Sequence, residues 1–565
     1  MKLGLALSGG GFRASLFHIG VLARMAEYGI LRQVEVISAV SGGAILGALY
    51  YAHVKRLLET REDQEVTDDD YLAIVQRIER EFLAAVQKNI RLRTFGDPVK
   101  NVHMTFANYS RSDRIGELYD ELLYRPALAA GRSGAILMRE LKITPMGGRT
   151  DFHPRLHNQG RNAKVPILVL NATALNTGHN WRFEASRMGE PPRSDPVAQD
   201  VDKNMRLRRP PSYEAITPLQ QDFELGHAVA ASAGVPGIFP PLSVSGLYDQ
   251  RIRVQLVDGG VHDNQGIQGL LDEKCNAFVV SDASGQMLDE TDPATGLLQV
   301  LLRSNDILMD RVREEELFSL LGGGQQPVGF MHLRKGVSAQ AIGWIDQNGN
   351  PAARQTERIP ATASQEFGVD PSVQELLSKI RTDLDSFTDI EGHSLMLDGY
   401  LMSEPELKRA FNVSPPPRSI SWQFLDIRKW VAKPTPQYLA HLEVGQERLF
   451  KVFRLSWSVT FAVFLLLGFI GWGLWIWQQE RILDWWNATL SIKQLIAGLL
   501  VLVLGFIPWA SRMFKILRFL RSPSEIVLRI VLRGFLPAIG SIFVWIYLYT
   551  FDALFMSLGR VRRLR

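Results

Sequence analysis

Cysteine is almost absent from this chain, since Cys275 is the only one among 565 residues. A single thiol can form neither a disulfide within the chain nor a thiolate cluster around a metal ion. A secretory signal is also lacking, because Lys2 is followed by only the short apolar stretch 3–7 before a run of glycines. The apolar part of a signal peptide is longer and ends at small residues. We therefore expect the N-terminal domain to lie in the cytosol.

The sequence also lacks a solvated stripe of basic residues with aromatics between them, which is typical of nucleic-acid-binding surfaces. The pI is near 9.0, but the late Arg and Lys residues stand beside apolar segments. We therefore expect no nucleic-acid partner.

Long apolar runs are absent before about residue 450 and frequent after it. Three segments stand out, at 455–477, 495–510 and 535–551. Because a helix needs about 20 apolar residues to span a bilayer, the first is long enough and the others are near the lower limit. Eight of the twelve tryptophans lie at or beyond Trp457, which is typical of an interfacial aromatic belt. These features predict an all-α membrane region over 448–565 with two or three spans, and a buried helical core is the alternative.

Basic residues beside the apolar segments predict the orientation of the chain. Arg448, Lys451 and Arg454 precede the first segment, whereas only Arg481 and Lys493 lie between the first and the second. Since positive charge favours the cytosolic side, we expect an integral membrane protein whose N-terminal domain is cytosolic. The basic C-terminal tail disagrees with three spans, which would place it outside.

Residues 1–412 predict an α/β domain. A strand at 3–7, a glycine turn and a helix at 14–28 precede a second strand at 34–40 and a helix at 44–57, which indicates a parallel sheet. Further strand candidates lie at 165–172, 255–257, 277–281 and 330–333, and polar helical insertions at 58–160 and 185–225.

Prolines are frequent in residues 413–447, which we interpret as a linker to the membrane region. A linker of this kind predicts that the catalytic and membrane regions fold separately.

The segment 36–44 has the form of a nucleophile elbow, with Ser41 at a turn from strand to helix. A hydroxyl attacks an ester when a base takes its proton and donors stabilise the oxyanion. Such a turn exposes the serine oxygen and places free helix N–H groups behind it. Ser-Gly-Gly also occurs as a plain connector.

Two further motifs carry glycines at strand ends. Residues 8–13 read Ser-Gly-Gly-Gly-Phe-Arg, so several backbone N–H groups can converge on an anion. A dinucleotide loop is the alternative, but it requires a glycine where Ala14 stands and an acid at the end of the second strand. The other motif is an acid followed by two glycines, Asp258 to Gly260, which by itself is an ordinary turn.

Together the three motifs resemble the patatin-like phospholipase family, which has a Gly-rich oxyanion loop with a following basic residue, a Gly-x-Ser-x-Gly elbow and an Asp-Gly-Gly/Ala motif. The resemblance continues through 171–178, 230–241 and 258–266 and covers most of the chain to about residue 400. It implies a patatin-like α/β fold with a parallel-sheet sandwich and helical insertions. Two positions depart from the family pattern, Ala39 in the elbow and Ala14 after the glycine loop.

The resemblance also implies the roles of individual residues. Ser41 is the nucleophile and Asp258 is its base. The oxyanion donors that it implies are Gly9, Gly10, Gly11 and Gly42. The supporting residues that it implies are Arg13, Gly259 and Gly260.

A Ser-His-Asp triad is the nearest enzymatic alternative, because His262, His332 and His393 follow Asp258 in the chain order that it requires. Folds with that triad place the elbow after several strands, whereas Ser41 follows only the second. A dyad is therefore favoured.

The sequence thus predicts a membrane-anchored lipid acyl-hydrolase that needs no metal or organic cofactor. The resemblance and the apolar region together imply a phospholipid or lysophospholipid as substrate and the bilayer as partner. A catalytically inactive membrane-tethered scaffold and a nucleotide-binding membrane protein are the alternatives.

Overall fold

The structure, a computed structural model, describes residues 1–104, 109–128, 131, 133–192, 205–249, 251–285, 289–322, 326–337, 367–414, 420–487 and 536–564, and six positions between 342 and 350. Nine strands among these residues form a mixed sheet. In chain order the strands are β1 Leu3–Leu7, β2 Val34–Val40, β3 Ile167–Ala174, β4 Asn180–Phe183, β5 Met188–Gly189, β6 Leu242–Ser245, β7 Arg253–Asp258, β8 Ala277–Asp282 and β9 Val328–His332.

The centre of the sheet is parallel, in the order β3, β2, β1, β8, β9. The first two strands and the later strand candidates are therefore confirmed, but the sheet is not wholly parallel. Strands β4 and β7 pair with β3 in the antiparallel direction, and β5 and β6 extend them. The connections from β3 to β4, from β4 to β5 and from β6 to β7 are short, which suits antiparallel pairing, whereas parallel neighbours need a crossover of a dozen or more residues.

Helices cover both faces of the sheet, as parallel strands joined by helical crossovers require. The helices are α1 Gly11–Glu27, α2 Gly42–Thr60, α3 Asp68–Val86, α4 Ile90–Phe95, α5 Pro98–His103, α6 Arg111–Tyr119, α7 Arg125–Leu128, α8 Pro154–His157, α9 Pro218–Gln221, α10 Leu225–Ser232, α11 Ile267–Asp272, α12 Leu297–Gly322, α13 Pro371–Lys379, α14 Asp389–Phe411, α15 Arg428–Ala432, α16 Pro436–Val444, α17 Lys451–Leu455, α18 Trp457–Asn487, α19 Leu536–Tyr547 and α20 Ala553–Leu558.

The main core lies where α1, α2, α3 and α14 pack together over the sheet. A smaller core on the other face joins Val36, Val169 and Phe278 of the strands to Leu270 of α11 and Leu320 of α12. Because the inner strands are buried on both faces, they are continuous apolar runs, as parallel strands usually are.

The predicted linker is packed wherever the structure describes it. Helices α15 and α16 bury Trp430, Val431, Tyr438 and Leu442 in the main core. Pro436 is the first residue of α16, a position where the missing N–H costs nothing. This stretch therefore belongs to the α/β body.

The first and last apolar segments are attached to the same point of that body. Lys451 at the start of α17 is 2% exposed and its Nζ lies 3.0 Å from Oδ2 of Asp385. On the returning side, the Ser386 hydroxyl donates to Asp552 at 2.6 Å. The chain thus leaves and rejoins the α/β body at adjacent residues.

Of the three apolar segments, the first runs from the end of α17 into α18, and the described part of the third lies in α19 and the π-helix Leu548–Asp552 that continues it, while 495–510 lies outside the described residues. Among the described residues, a single helix, Gly540–Leu558, is long and apolar enough to cross a membrane by length and composition, and Trp457–Gly473 is a shorter apolar helix. Side chains such as Phe464 and Phe543 are each 69% exposed. The exposed apolar side chains agree with the predicted apolar segments, and one helix among the described residues has the length and composition of a membrane span.

Candidate active site

The turn between β2 and α2 places Ser41 at the carboxyl end of the parallel strands. Its backbone has φ 51° and ψ −118°, which is a strained conformation for any residue other than glycine. Such strain costs on the order of 1–3 kcal/mol and is concentrated at functional sites. The Ser41 N–H donates to the hydroxyl of Ser232, at the end of α10, at 3.0 Å. This turn has the geometry predicted for a nucleophile elbow.

Strand pairing brings Asp258 next to that turn. Strand β3 pairs with β2 up to Asn171, which lies opposite Val40. From the next residue, Ala172, β3 pairs with β7, and Ala172 lies opposite Asp258. Strand β4 occupies the other edge of β3 along this stretch, so β7 continues the edge at which β2 stops. Asp258 of the Asp-Gly-Gly motif and Ser41 of the elbow are therefore neighbours, because their strands pair with consecutive residues of β3.

The Asp258 carboxyl is buried, with 6% of the residue exposed. Its Oδ1 accepts the Gly260 N–H at 2.8 Å, and its Oδ2 has no hydrogen-bond partner within 3.5 Å among the described residues. Burial raises the pKa of Asp258 to about 6, while the Gly260 amide and, less strongly, the Ser41 hydroxyl favour the charged form. A carboxylate whose pKa is close to neutral and whose one oxygen is unused is suited to accept a proton.

The glycine loop and the elbow are in contact. A Cβ on Gly42 would lie 2.0 Å from the carbonyl oxygen of Gly11, and the Gly43 N–H donates to the Ser8 carbonyl at 3.1 Å. Helices α1 and α2 thus point their N-termini at one place, beside Ser41. Free N–H groups and the positive ends of two helix dipoles favour an anion there.

The amides of Gly10, Gly11 and Gly42 have no acceptor among the residues that the structure describes. The Gly9 amide, in contrast, donates to the Asn264 carbonyl at 2.9 Å. Gly9 is therefore not available as an oxyanion donor in this arrangement, although a Cβ placed on it would be 3.3 Å from that of Ser41. Its role is to hold the loop against the segment that follows Asp258.

Arg13 supports the loop from behind and is only 3% exposed. Its guanidinium donates to the carbonyls of Ile380 at 2.7 Å and Ala283 at 3.0 Å. Burial lowers its pKa to about 10. Of the two other supporting glycines, Gly260 binds the Asp258 carboxylate, and Gly259 lies where a Cβ would be 2.3 Å from the Asn171 carbonyl.

Several residues that stabilise the site were not assigned from sequence. Ser232 holds the elbow amide, and the Asp383 carbonyl accepts the Phe12 N–H of the glycine loop at 3.0 Å. Ser232 stands in the stretch 230–241 that resembles the family, so that resemblance was the available signal. Asp383 lies far along the chain, in an irregular segment, and no sequence motif marks it.

The three histidines occupy separate places. His332 ends β9, three strands from β2 and thus about 14 Å away, with its Nε2 3.8 Å from Asp282. His393 is buried in α14, and His262 lies in the loop that follows Asp258. No histidine is among the groups that affect the pKa of Asp258. Within the described residues, no group of three or more His, Cys, Asp or Glu side chains could hold a metal ion.

An α/β fold whose elbow serine lies beside a buried carboxylate and free helix-terminal amides has the components of a serine hydrolase. Residues 5–271 match the family model described as "Patatin-like phospholipase". The matched region is a patatin-like domain of a little under half the chain, and the match supports a lipid acyl-hydrolase activity.

Among solved structures, human GIVD cytosolic phospholipase A2 with a fluorophosphonate inhibitor aligns at 12% identity and a TM-score of 0.33, over 71% of this chain and 57% of that one. The chain thus spans little more than half of that protein. VipD from Legionella pneumophila aligns at 12% identity and a TM-score of 0.26, over 99% of this chain and 88% of that one. No curated protein gives a significant match.

Proposed function

We propose that this protein is a membrane-anchored lipid acyl-hydrolase that cleaves the fatty-acyl esters of phospholipids or lysophospholipids with a Ser41–Asp258 dyad. The observation that carries the proposal is the pairing of β3 with both β2 and β7. Val40, which precedes the strained elbow serine, and the buried Asp258, whose Oδ2 has no partner among the described residues, pair with consecutive residues of β3. The family match over residues 5–271 supports the reaction class.

The reaction follows from the geometry of the site. Asp258 accepts the hydroxyl proton as Ser41 Oγ attacks the ester carbonyl, and the amides of Gly10, Gly11 and Gly42 stabilise the oxyanion. When the carbon–oxygen bond of the ester breaks, Asp258 returns its proton to the leaving alcohol. Water then attacks the acyl-serine while Asp258 takes its proton, and Asp258 returns that proton to Ser41 Oγ as the carbon–oxygen bond breaks and the fatty acid is released.

Membrane attachment is the second element of the proposal. Exposed apolar side chains along Trp457–Gly473 and Gly540–Leu558 favour a lipid environment. Lys451 and Asp552 are bound to the same segment of the α/β body, and this supports an even number of crossings between them. The basic tail then lies with the catalytic domain in the cytosol, which agrees with the positive-inside rule.

A fluorophosphonate probe tests the catalytic proposal. The probe modifies serines that are activated by a base and by oxyanion donors, so we expect the full-length protein to be labelled and Ser41→Ala to abolish the labelling. Ser403→Ala, which alters another buried serine in α14, is the matched control and should label like the wild type. A wild-type protein that resists the probe would instead support the inactive scaffold.

Cysteine labelling tests the topology. Because the natural Cys275 is buried, an introduced cysteine dominates the reaction with a membrane-impermeant maleimide. We expect Arg560→Cys to react only after the cell membrane is permeabilised. Lys433→Cys, on the exposed surface of the α/β body, is the control for the cytosolic side. Reaction of Arg560→Cys, but not of Lys433→Cys, in intact cells would mean an odd number of crossings.

A further inference from the structure

A cavity of about 780 Å³ lies between α16 and the C-terminal tail, away from Ser41. This volume is within the usual range for a small-molecule site. The side chains that form its wall include Gln437, His441, Leu455, Leu558, Arg562 and Arg563.

The wall of the cavity is positively charged. Arg562 and Arg563 both line it, and no carboxylate among the described residues does. Neither guanidinium forms an ion pair with another described residue, and Arg563 uses one Nη2 donor for the Ser557 hydroxyl at 3.0 Å. Two guanidinium groups without an anion are an arrangement that a phosphate would complete, because their planar donors match its oxygens.

A buried histidine forms part of the same wall. His441 is 6% exposed and lines the cavity, yet its Nδ1 has no hydrogen-bond partner within the described residues. This nitrogen is itself buried, so His441 contributes wall to the cavity, and the charged groups available to a bound molecule are those of the two arginines.

The position of the cavity indicates where that molecule comes from. Leu455 ends α17, just before the apolar helix α18, and Leu558 is the last residue of α20, where the apolar helix Gly540–Leu558 ends. The two leucines give the cavity an apolar side next to the segments proposed to enter the bilayer. A lipid has both the required groups, a phosphate for the arginines and carbon chains that continue along the helices.

We propose that this cavity binds the phosphate of an anionic phospholipid, with Arg562 and Arg563 facing the phosphate and Leu455 and Leu558 facing the lipid carbons. Basic pockets at the cytosolic ends of membrane helices bind anionic head groups by the same chemistry. The inference rests on the proposed membrane attachment and not on catalysis at Ser41. Binding would hold the tail and α16 together where the chain meets the membrane.

The test is a thermal unfolding titration of the full-length protein in neutral detergent, in the Ser41→Ala background so that no lipid is hydrolysed. The probes are dioctanoyl phosphatidylglycerol, dioctanoyl phosphatidylcholine and inorganic phosphate. We expect phosphatidylglycerol to raise Tm saturably and the other two to raise it much less, because a ligand that binds only the folded state stabilises it.

Variants locate the site. Arg562→Gln/Arg563→Gln should weaken the apparent phosphatidylglycerol affinity by about tenfold or more, as expected for losing charge-assisted hydrogen bonds. Arg560→Gln removes the same charge from the same tail but does not line the cavity, and it should leave the affinity unchanged. All three arginines are exposed on the tail, so the fold should persist.

Three outcomes would overturn the proposal. Equal Tm shifts with phosphatidylcholine would show that charge is not recognised, and an equal shift with inorganic phosphate would assign the site to a free anion. An equal loss of affinity in Arg560→Gln would show only a general effect of positive charge. None of these outcomes bears on fluorophosphonate labelling of Ser41, so failure here is distinguishable from failure of the proposed catalytic function.

Discussion

Replacing Asp258 with Asn is expected to lower kcat for a short, water-soluble ester by about 10³-fold, within the range that general-base catalysis contributes. Asparagine keeps the size of the side chain and can accept the Gly260 N–H, but it cannot take a proton from Ser41. The wild-type kcat/KM should fall about tenfold per pH unit below pH 6, because burial raises the pKa of Asp258 to about 6 and only the carboxylate is a base. The residual activity of the variant should lack this dependence.

The stability of this variant separates a chemical from a structural effect. Since the pKa of Asp258 is higher in the folded than in the unfolded state, ionisation of Asp258 destabilises the fold as pH rises from about 4 to 6. Asp258→Asn removes this penalty and should unfold at no lower temperature than the wild type at pH 7.

Asp398→Asn is the matched control, because that carboxyl in α14 is also buried and burial raises its pKa to about 7. It should leave kcat nearly unchanged. If His262→Ala abolished activity and Asp258→Asn were mild, the dyad would have to be replaced by a triad.

The second large effect is expected for Gly42→Ala. The new methyl group would lie 2.0 Å from the Gly11 carbonyl oxygen, a backbone atom that cannot move without displacing the glycine loop. Because Gly11 and Gly42 are both proposed oxyanion donors, we expect kcat to fall by about 100-fold or more, the scale measured for loss of one such donor. Steady-state kinetics on a soluble ester, with Tm measured alongside, checks this.

Gly47→Ala is the control in the same helix. Its Cβ would meet the Ala39 side chain at 3.1 Å, which is tight but involves no oxyanion group. We expect a loss of stability with little change in kcat. If both variants lowered kcat equally, general disturbance of α2 rather than the position of the loop would explain the result.

Ala39 shows why local departures from a family pattern are hard to evaluate from one sequence. The elbow of the family has glycine there, because strand and helix come close. In this chain the space is provided by Gly47 on the facing turn of α2. The alanine is accommodated by a partner eight residues away, which the turn by itself does not reveal.

The apolar C-terminal region illustrates the opposite limit. Its hydropathy was readable from sequence, and so were its basic flanks. The attachment of its two ends to Asp385 and Ser386 could not be read from sequence. The ion pair between Lys451 and Asp385 joins residues far apart in the chain, and no motif around either residue marks it. The same reason applies to the cavity, whose arginines stand 121 or more residues from His441 and have no shared motif with it.

The amino-acid sequence by itself determined the α/β alternation, the elbow at Ser41, the glycine loop, the acid at Asp258 and the apolar segments. Each of these is specified by neighbouring residues, since strand and helix periodicities and glycine turns are local properties of the backbone. Only the tertiary structure decided that the Gly9 N–H donates to Asn264, that the amides of Gly10, Gly11 and Gly42 have no acceptor among the described residues, and that the described part of the proline-rich stretch is packed. Those outcomes depend on which distant groups meet after folding, and burial, hydrogen bonding and charge pairing are fixed only at that point.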